Sequence, residues 1–374
     1  MKKITAFLLV LSLMLFVPER AKAVEVSARS AIVVNAATGE VIFSQNAEER
    51  LPMASTTKIM TALLLCEMAD LNDTVITTKE MVTVEGSSMG LLEGDTVSYK
   101  ALLYGMMLPS GNDAATTTAI ALGGSLREFA LLMNKKAREL SMDNTNFVTP
   151  SGLDAENHYS TAADMAKLAV YAMKNPLFRK VAATKSISVE YGNPPYTRRL
   201  SGHNKILDIY SGGIGIKTGY TSKSGRCLVS AATRHGVEVI AVTLGDSNTW
   251  AHHKQLLDLG FSKINSVTFS APTEAKKLRV ISGQTSEAAL ECEDFTIGLT
   301  PEEQERVTYK ISLPEFSFAP LSRGEEIGKI DYYLDGNLLK SLSLKTAEAV
   351  PMATPPTKNA FDDWLQNFKI MLKL

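Results

Sequence analysis

Ser55 and Lys58 stand three residues apart in Ser55-Thr56-Thr57-Lys58, directly ahead of the apolar residues Ile59, Met60, Leu63, Leu64 and Leu65. Three residues is close to one helical turn, so the lysine projects beside the serine. A serine hydroxyl is a weak nucleophile and needs a neighbouring base. An amine can be that base only when burial or another cation depresses its pKa. Two other clusters have side chains that could act with such a pair. Ser110-Gly111-Asn112 follows Leu108-Pro109 and offers a hydroxyl and an amide. Lys217-Thr218-Gly219 lies in a strand-like run over 215–221. There Lys217 and Thr218 could hold a carboxylate, and Gly219 would let a substrate backbone approach closely. Taken singly, each cluster has a plainer reading: an exposed helical turn, a turn with a helix cap, and an edge strand with its lysine in solvent. Lys217-Thr218-Gly219 is not a phosphate-binding loop, which needs Gly before the Lys where Ile216 stands.

These residues need rigid elements to carry them. Apolar side chains nearly all round predict a buried helix from about Ser55 to Met68, opening its amide-rich end at the serine. Further helices are predicted around 99–107, 113–122, 125–140, 161–173 and 250–259. Ala31-Ile32-Val33-Val34 and Val41-Ile42-Phe43 flank Thr38-Gly39-Glu40 as a hairpin, and 215–221, 227–233 and 237–244 read as strands. Strands at both ends and helices between predict an α+β domain over 24–265, with one antiparallel sheet joining its beginning to its end. Alternation over 277–282, 289–299, 306–313 and 328–344, with a turn at Asp335-Gly336-Asn337, predicts a small all-β domain over 266–349.

The two ends of the chain carry different information. Lys2 and Lys3, an apolar run from Ile4 to Val17 and Ala21-Lys22-Ala23 have the layout of a secretory signal peptide over 1–23. Residues 350–374 read as a proline linker (Pro351, Pro355, Pro356) and an amphipathic helix with Phe361, Trp364, Leu365, Phe368, Met371 and Leu372 at helical spacing. Its acidic pair Asp362 and Asp363 is expected in the first turn and Lys369 and Lys373 in the last. At 1.5 Å per residue, 361–374 reaches about 21 Å, short of a hydrocarbon core of about 30 Å, so it is expected to lie in the membrane interface. The formal net charge of −1, spread without a basic block, speaks against nucleic acid as a partner. Cys66, Cys227 and Cys292 have no paired spacing; Cys66 and Cys227 read as small buried hydrophobes. The five histidines lack a ligand spacing, so no metal or other cofactor is expected.

The order of the three clusters is more specific than any one of them. S-x-x-K, then S-x-N, then K-T-G on an exported chain is the pattern of penicillin-binding proteins and class A β-lactamases. The stretches 52–62, 84–89, 110–115 and 215–221 resemble the low-molecular-mass D-alanyl-D-alanine carboxypeptidases of the penicillin-binding protein 5 type, serine peptidase family S11. Ser224-Gly225 departs from the Ala-Gly of many members. The resemblance implies a β-lactamase/transpeptidase-like fold and a substrate of peptidoglycan stem peptides ending in D-Ala-D-Ala. β-Lactams would be covalent inhibitors, and the enzyme would sit on the outer face of the cytoplasmic membrane. It also implies the roles. Ser55 is the acylated nucleophile, Lys58 its base and Ser110 a proton relay to the leaving amine. Asn112 orients Lys58 and the substrate amide, and Lys217 and Thr218 bind the substrate carboxylate. Ser55 and Tyr220 give their backbone amides to the oxyanion, with Gly219 between them. A D,D-endopeptidase or transpeptidase on the same scaffold, or a catalytically silent wall-binding protein, is the competing expectation. A β-lactamase is disfavoured because no E-x-x-L-N stretch lies between Ser110 and Lys217. Gly86-Ser87-Ser88-Met89-Gly90 fits the G-x-S-x-G nucleophile elbow, but no helix is expected after it.

Overall fold

The computed structural model describes residues 25–354 and 358–371. The expected signal peptide, Pro355 and Pro356, and Leu372 and Lys373 lie outside the described residues.

Strands β1 (Ser30–Asn35) and β2 (Val41–Gln45) open the chain, and β7 (Gly213–Thr221), β8 (Gly225–Arg234) and β9 (Val237–Leu244) close the first domain. They form one antiparallel sheet in the order β2-β1-β9-β8-β7, which joins the two ends of the domain as expected. β1 is an inner strand, between β2 and β9, and is buried on both faces. This explains its unbroken apolar run: Ile32 and Val34 face the helical layer, and Ala31 and Val33 face the opposite core. Burial of one such aliphatic side chain stabilises the fold by about 1.5–3 kcal/mol.

The helical layer covers one face. It contains α1 (Lys58–Met68), α2 (Lys79–Val82), α3 (Tyr99–Met107), α4 (Asn112–Gly123), α5 (Leu126–Glu139), α6 (Ala162–Lys174) and α7 (Pro176–Ala182). α1 runs through its middle, with Lys58 to Leu65 all buried. A four-stranded sheet of β3 (Thr74–Ile76), β4 (Thr96–Ser98), β5 (Ser186–Gly192) and β6 (Pro195–Ser201) flanks this layer, and it had no counterpart in the expected elements. β3 and β4 span three residues each, too short for alternation to show. The short α8 (Ile206–Ile209) precedes β7. α9 (Thr249–Lys263) covers the other sheet face through Leu256 and Leu257. It runs beyond the expected end near 259 because Gly260 continues the helix, close to the Val239 side chain, where a Cβ would meet Cγ1 at 2.4 Å. Cys227 is buried as expected, whereas Cys66 is only partly so.

The second domain holds β10 (Asn265–Phe269), β11 (Lys277–Ile281), β12 (Glu287–Glu291), β13 (Phe295–Leu299), α10 (Pro301–Glu305), β14 (Val307–Ser312), β15 (Phe316–Phe318), β16 (Glu326–Leu334) and β17 (Asn337–Thr346). The expected single strand over 289–299 is two strands. β12 joins the six-stranded sheet β14-β16-β17-β12-β11-β15, and β13 pairs with β10 as a separate ribbon. The polar step Cys292-Glu293-Asp294 breaks the alternation between them. Phe269, Phe295 and Tyr332 pack with ring centroids 5.2 Å apart and tie the ribbon to the sheet. Helix α11 (Lys358–Met371) begins three residues before the expected start, so Asp362 and Asp363 fall in its second turn, whereas Lys369 is in its last.

Candidate active site

Ser55 sits on a constrained turn. Ala54–Thr57 form one 3-10 turn leading straight into α1, so Ser55 precedes the α-helix proper instead of opening it. Thr56 Oγ1 donates to the Met53 carbonyl at 2.6 Å, and Ala54 holds a left-handed φ of +48°. A non-glycine residue there costs on the order of 1–2 kcal/mol, sustained by the complete burial around Ala54. The turn leaves Ser55 partly exposed while Thr56, Thr57 and Lys58 are buried.

Lys58 Nζ lies 2.9 Å from Ser55 Oγ, 2.7 Å from Asn112 Oδ1 and 2.8 Å from the Ser151 carbonyl. The two carbonyl oxygens can only accept. A neutral amine has two N–H donors and one lone pair, so with both donors committed the lone pair faces Ser55. Burial drives the Lys58 pKa well below its ordinary value; the charge of Lys217 adds to this and that of Asp113 opposes it. The lowered pKa favours the neutral amine, whose lone pair then meets the Ser55 hydroxyl, the requirement for base-assisted nucleophilic attack.

The second pair is Lys217 and Ser110. Lys217, on edge strand β7, points inward and is fully desolvated, against the plainer reading of a solvent-facing lysine. Its Nζ donates to Ser110 Oγ and to the Thr218 carbonyl, both at 3.0 Å, and burial lowers its pKa to about 7. Ser110 also has a left-handed φ, +63°. Gly219 packs against the Ser55 turn: a Cβ there would stand 2.9 Å from the Ser55 amide nitrogen and 3.0 Å from the Ala54 side chain. Glycine thus lets β7 lie directly against the turn that carries Ser55.

Several positioning residues had no assigned role in the sequence reading. Asp113 is completely buried at the start of α4. Its carboxylate accepts from Ser88 Oγ at 2.5 Å, from the amides of Met89 (2.9 Å), Gly90 and Leu91 (both 3.0 Å). The G-x-S-x-G segment is therefore a loop clamped by Asp113, with Ser88 used as a tether. From it the carbonyls of Glu85 and Ser87 accept from Asn112 Nδ2 (2.6 Å) and Asn112 N (2.7 Å), so the clamp also fixes Asn112. On the opposite side, His158 Nδ1 accepts from the Val148 amide at 2.9 Å, which leaves the proton on Nε2 to donate to Thr57 Oγ1 at 3.0 Å. This bond ties the strand-free segment carrying Ser151 to the Ser55 turn. No spacing rule marks Ser151 or His158, because each acts through a contact far away in sequence.

Ser55, Ser110, Thr218, Gly219 and Tyr220 open on one cleft of about 400 Å³, while Lys58, Asn112 and Lys217 lie beneath its floor. Its wall adds Ser87, His203, Lys205, Arg226, Thr249 and Trp250, none of which was expected to be a site residue. The wall is cationic and, among the described residues, includes no carboxylate, which suits an anionic ligand.

Comparison with known proteins agrees with this geometry. A family model described as D-alanyl-D-alanine carboxypeptidase matches residues 17–248, and one described as penicillin-binding protein 5, C-terminal domain, matches 266–352. The chain is 32% identical over 350 residues to D-alanyl-D-alanine carboxypeptidase DacF of Bacillus subtilis, covering 90% of each chain. It is 33% identical over 370 residues to DacC of Escherichia coli, covering 92% of this chain and 90% of that one. Among solved structures, the Streptomyces K15 DD-transpeptidase superposes with a TM-score of 0.61 at 33% identity, covering 64% of this chain and 98% of its own. Penicillin-binding protein 5 of Haemophilus influenzae gives 0.62 at 27% identity over 87% of this chain and 98% of its own.

Proposed function

The chain belongs to the D-alanyl-D-alanine carboxypeptidase family of serine peptidases, of the penicillin-binding protein type, and from that premise we propose how its own residues carry out the reaction. It is a hydrolase acting on peptidoglycan stem peptides ending in D-Ala-D-Ala, and it binds β-lactams. Ser55 attacks the carbonyl between the two D-alanines as Lys58 Nζ takes the hydroxyl proton. The amides of Ser55 and Tyr220 hold the oxyanion, where loss of one donor typically costs about 3–4 kcal/mol of barrier. Ser110, held by Lys217, relays to the departing amine the proton that Lys58 took, so D-alanine leaves and Lys58 is neutral again. Thr218, with Lys217 beneath it, receives the terminal carboxylate. Asn112 holds Lys58 and presents its amide toward the substrate. Water, deprotonated by Lys58, then frees the enzyme.

The observation that carries this reading is the 2.9 Å approach of Lys58 Nζ to Ser55 Oγ, with both remaining hydrogen-bonding directions taken by carbonyls. The test is release of D-alanine from a stem peptide by the chain from Val24 onward beside its Ser55→Ala variant. Release by the first alone supports the assignment; equal release by both removes Ser55 as nucleophile. Cleavage of cross-linked dimers in place of D-alanine release would turn the reading to an endopeptidase.

We also infer where the protein resides. Residues 1–23 direct export, the catalytic domain takes 24–265, the β domain 266–349, and 350–374 link the protein to the outer face of the cytoplasmic membrane. In support, Phe361, Trp364 and Phe368 stack along one side of α11 with centroids 5.8 and 5.2 Å apart and remain 54%, 55% and 40% exposed. Fourteen residues extend about 21 Å, a length for lying in the interface. No helix among the described residues is long and apolar enough to cross a membrane.

A further inference from the structure

Two aromatic side chains of the β domain face water. Phe316 and Phe318 on β15 are 41% and 62% exposed, their rings 5.5 Å apart and edge to face. β15 is the outermost strand of its sheet, and alternation puts both rings on one face with Ser317 turned away. It runs parallel to β11 in the register Arg279↔Phe316 and Ile281↔Phe318. Exposed Arg279 therefore stands beside Phe316 on the same face, and it forms no ion pair with any described residue. Met352, 56% exposed, lies at the end of this strand pair. It bridges to Gly283, two residues past Ile281, and the Ala353 amide donates to the Ser282 carbonyl at 2.8 Å.

The polypeptide leaves the β domain at this point. From Ala353 to Lys358, where α11 begins, there are five residue steps, a reach of about 18 Å at most. Wherever the start of α11 sits, it lies within that distance of Ala353, which is bonded to Ser282 beside the Phe318 end of β15. Clustered aromatic rings with a free guanidinium beside them are the composition of a surface that enters an anionic headgroup layer. We propose that the Phe316–Phe318 face, with Arg279 and Met352, is a second contact with the anionic membrane surface, beside α11. It rests on the reading of α11 as the anchor. Two contacts separated by a short linker bind cooperatively, and they would fix the tilt of the β domain against the bilayer, which one helix on a linker cannot do.

The test uses the chain from Val24 to Leu374 and vesicles of phosphatidylglycerol and phosphatidylethanolamine, read by flotation. The expected result is binding by the parent and at least fivefold weaker partitioning by Phe316→Ser/Phe318→Ser, with penicillin labelling of both unchanged. A Phe318→Trp substitution in a Trp364→Phe background should show a blue-shifted emission quenched by brominated lipids, relative to Trp364→Phe alone. Parent binding with undiminished binding by the double variant and no quenching overturns the second contact while leaving the anchor. Absence of parent binding overturns the anchor reading and this inference with it. A change in Trp364 emission caused by the double substitution without vesicles would mean that α11 covers the patch, which also overturns it.

Discussion

Lys217 Nζ stands 3.0 Å from the Ser110 hydroxyl, so the site contains a second lysine–serine pair facing the one formed by Lys58 and Ser55. Both amines are buried, and neither has a carboxylate as a hydrogen-bond partner. Two protonated lysines in one desolvated site repel each other, so the arrangement favours keeping at least one of them neutral. The reactive state of Lys58 is thus a property of the pair.

Lys217 should weaken the fold in return for this. Its folded pKa, about 7, lies below the ordinary 10.5, so between these values the unfolded chain holds a proton that the native chain lacks. Stability attributable to this group therefore rises as pH climbs from about 7 toward 10.5, and the penalty is complete below 7. Lys217→Met should raise the Tm at pH 6, by a gain on the order of a few kcal/mol, and raise it less at pH 10, while D-alanine release is lost. Thermal melts at the two pH values check the sign; equal shifts would rule out a titrating Lys217.

Lys58→Ala should slow acylation by about 10²–10⁴-fold or more without unfolding the protein, measured as fluorescent penicillin labelling beside a melt. Lys58→Arg should be as inactive, because a guanidinium does not give up its proton. Labelling at the parent rate in either variant would eliminate Lys58 as the base.

Asp113→Asn puts an NH₂ group where the carboxylate now accepts from Ser88, Met89, Gly90 and Leu91. A loss of about 1–3 kcal/mol in urea unfolding is expected. The substitution also removes the negative charge that raises the Lys58 pKa. The rising limb of the pH–acylation profile should therefore move to lower pH, a shift that a purely structural defect would not produce.

His158 gives the protein an acid-sensitive element. Burial lowers its pKa from 6.5 to about 4, so the neutral ring is the one that bonds Thr57 and the Val148 amide. Between these values the unfolded chain binds the extra proton, so stability falls as pH drops from 6.5 to about 4. His253, lowered to about 3 between Ser230 and Thr243, extends the loss further down. Urea midpoints for the parent and His158→Gln at pH 7 and 5 should differ less at pH 5; a constant difference would refute the role of His158.

The sequence by itself determined the chemistry and the coarse architecture. Ser55 and Lys58 are one turn apart, and that spacing holds whether the turn is 3-10 or α. The apolar run after Lys58 required a buried helix, and short β-rich runs marked β7, β8 and β9, the last two joined by the turn at Arg234-His235-Gly236. Local periodicity carries no information about contacts made across long separations, and these complete the site. Only the tertiary structure turned Lys217 inward onto Ser110, brought the Ser151 carbonyl to Lys58 across 93 residues, and set Asp113 beneath the loop at Ser88. It also decided that 289–299 splits between two sheets, since pairing partners are chosen by the fold and not by the strand. The lysine pKa values belong to that second group: a lysine's type fixes its charge in water, and only burial against named neighbours makes it a base.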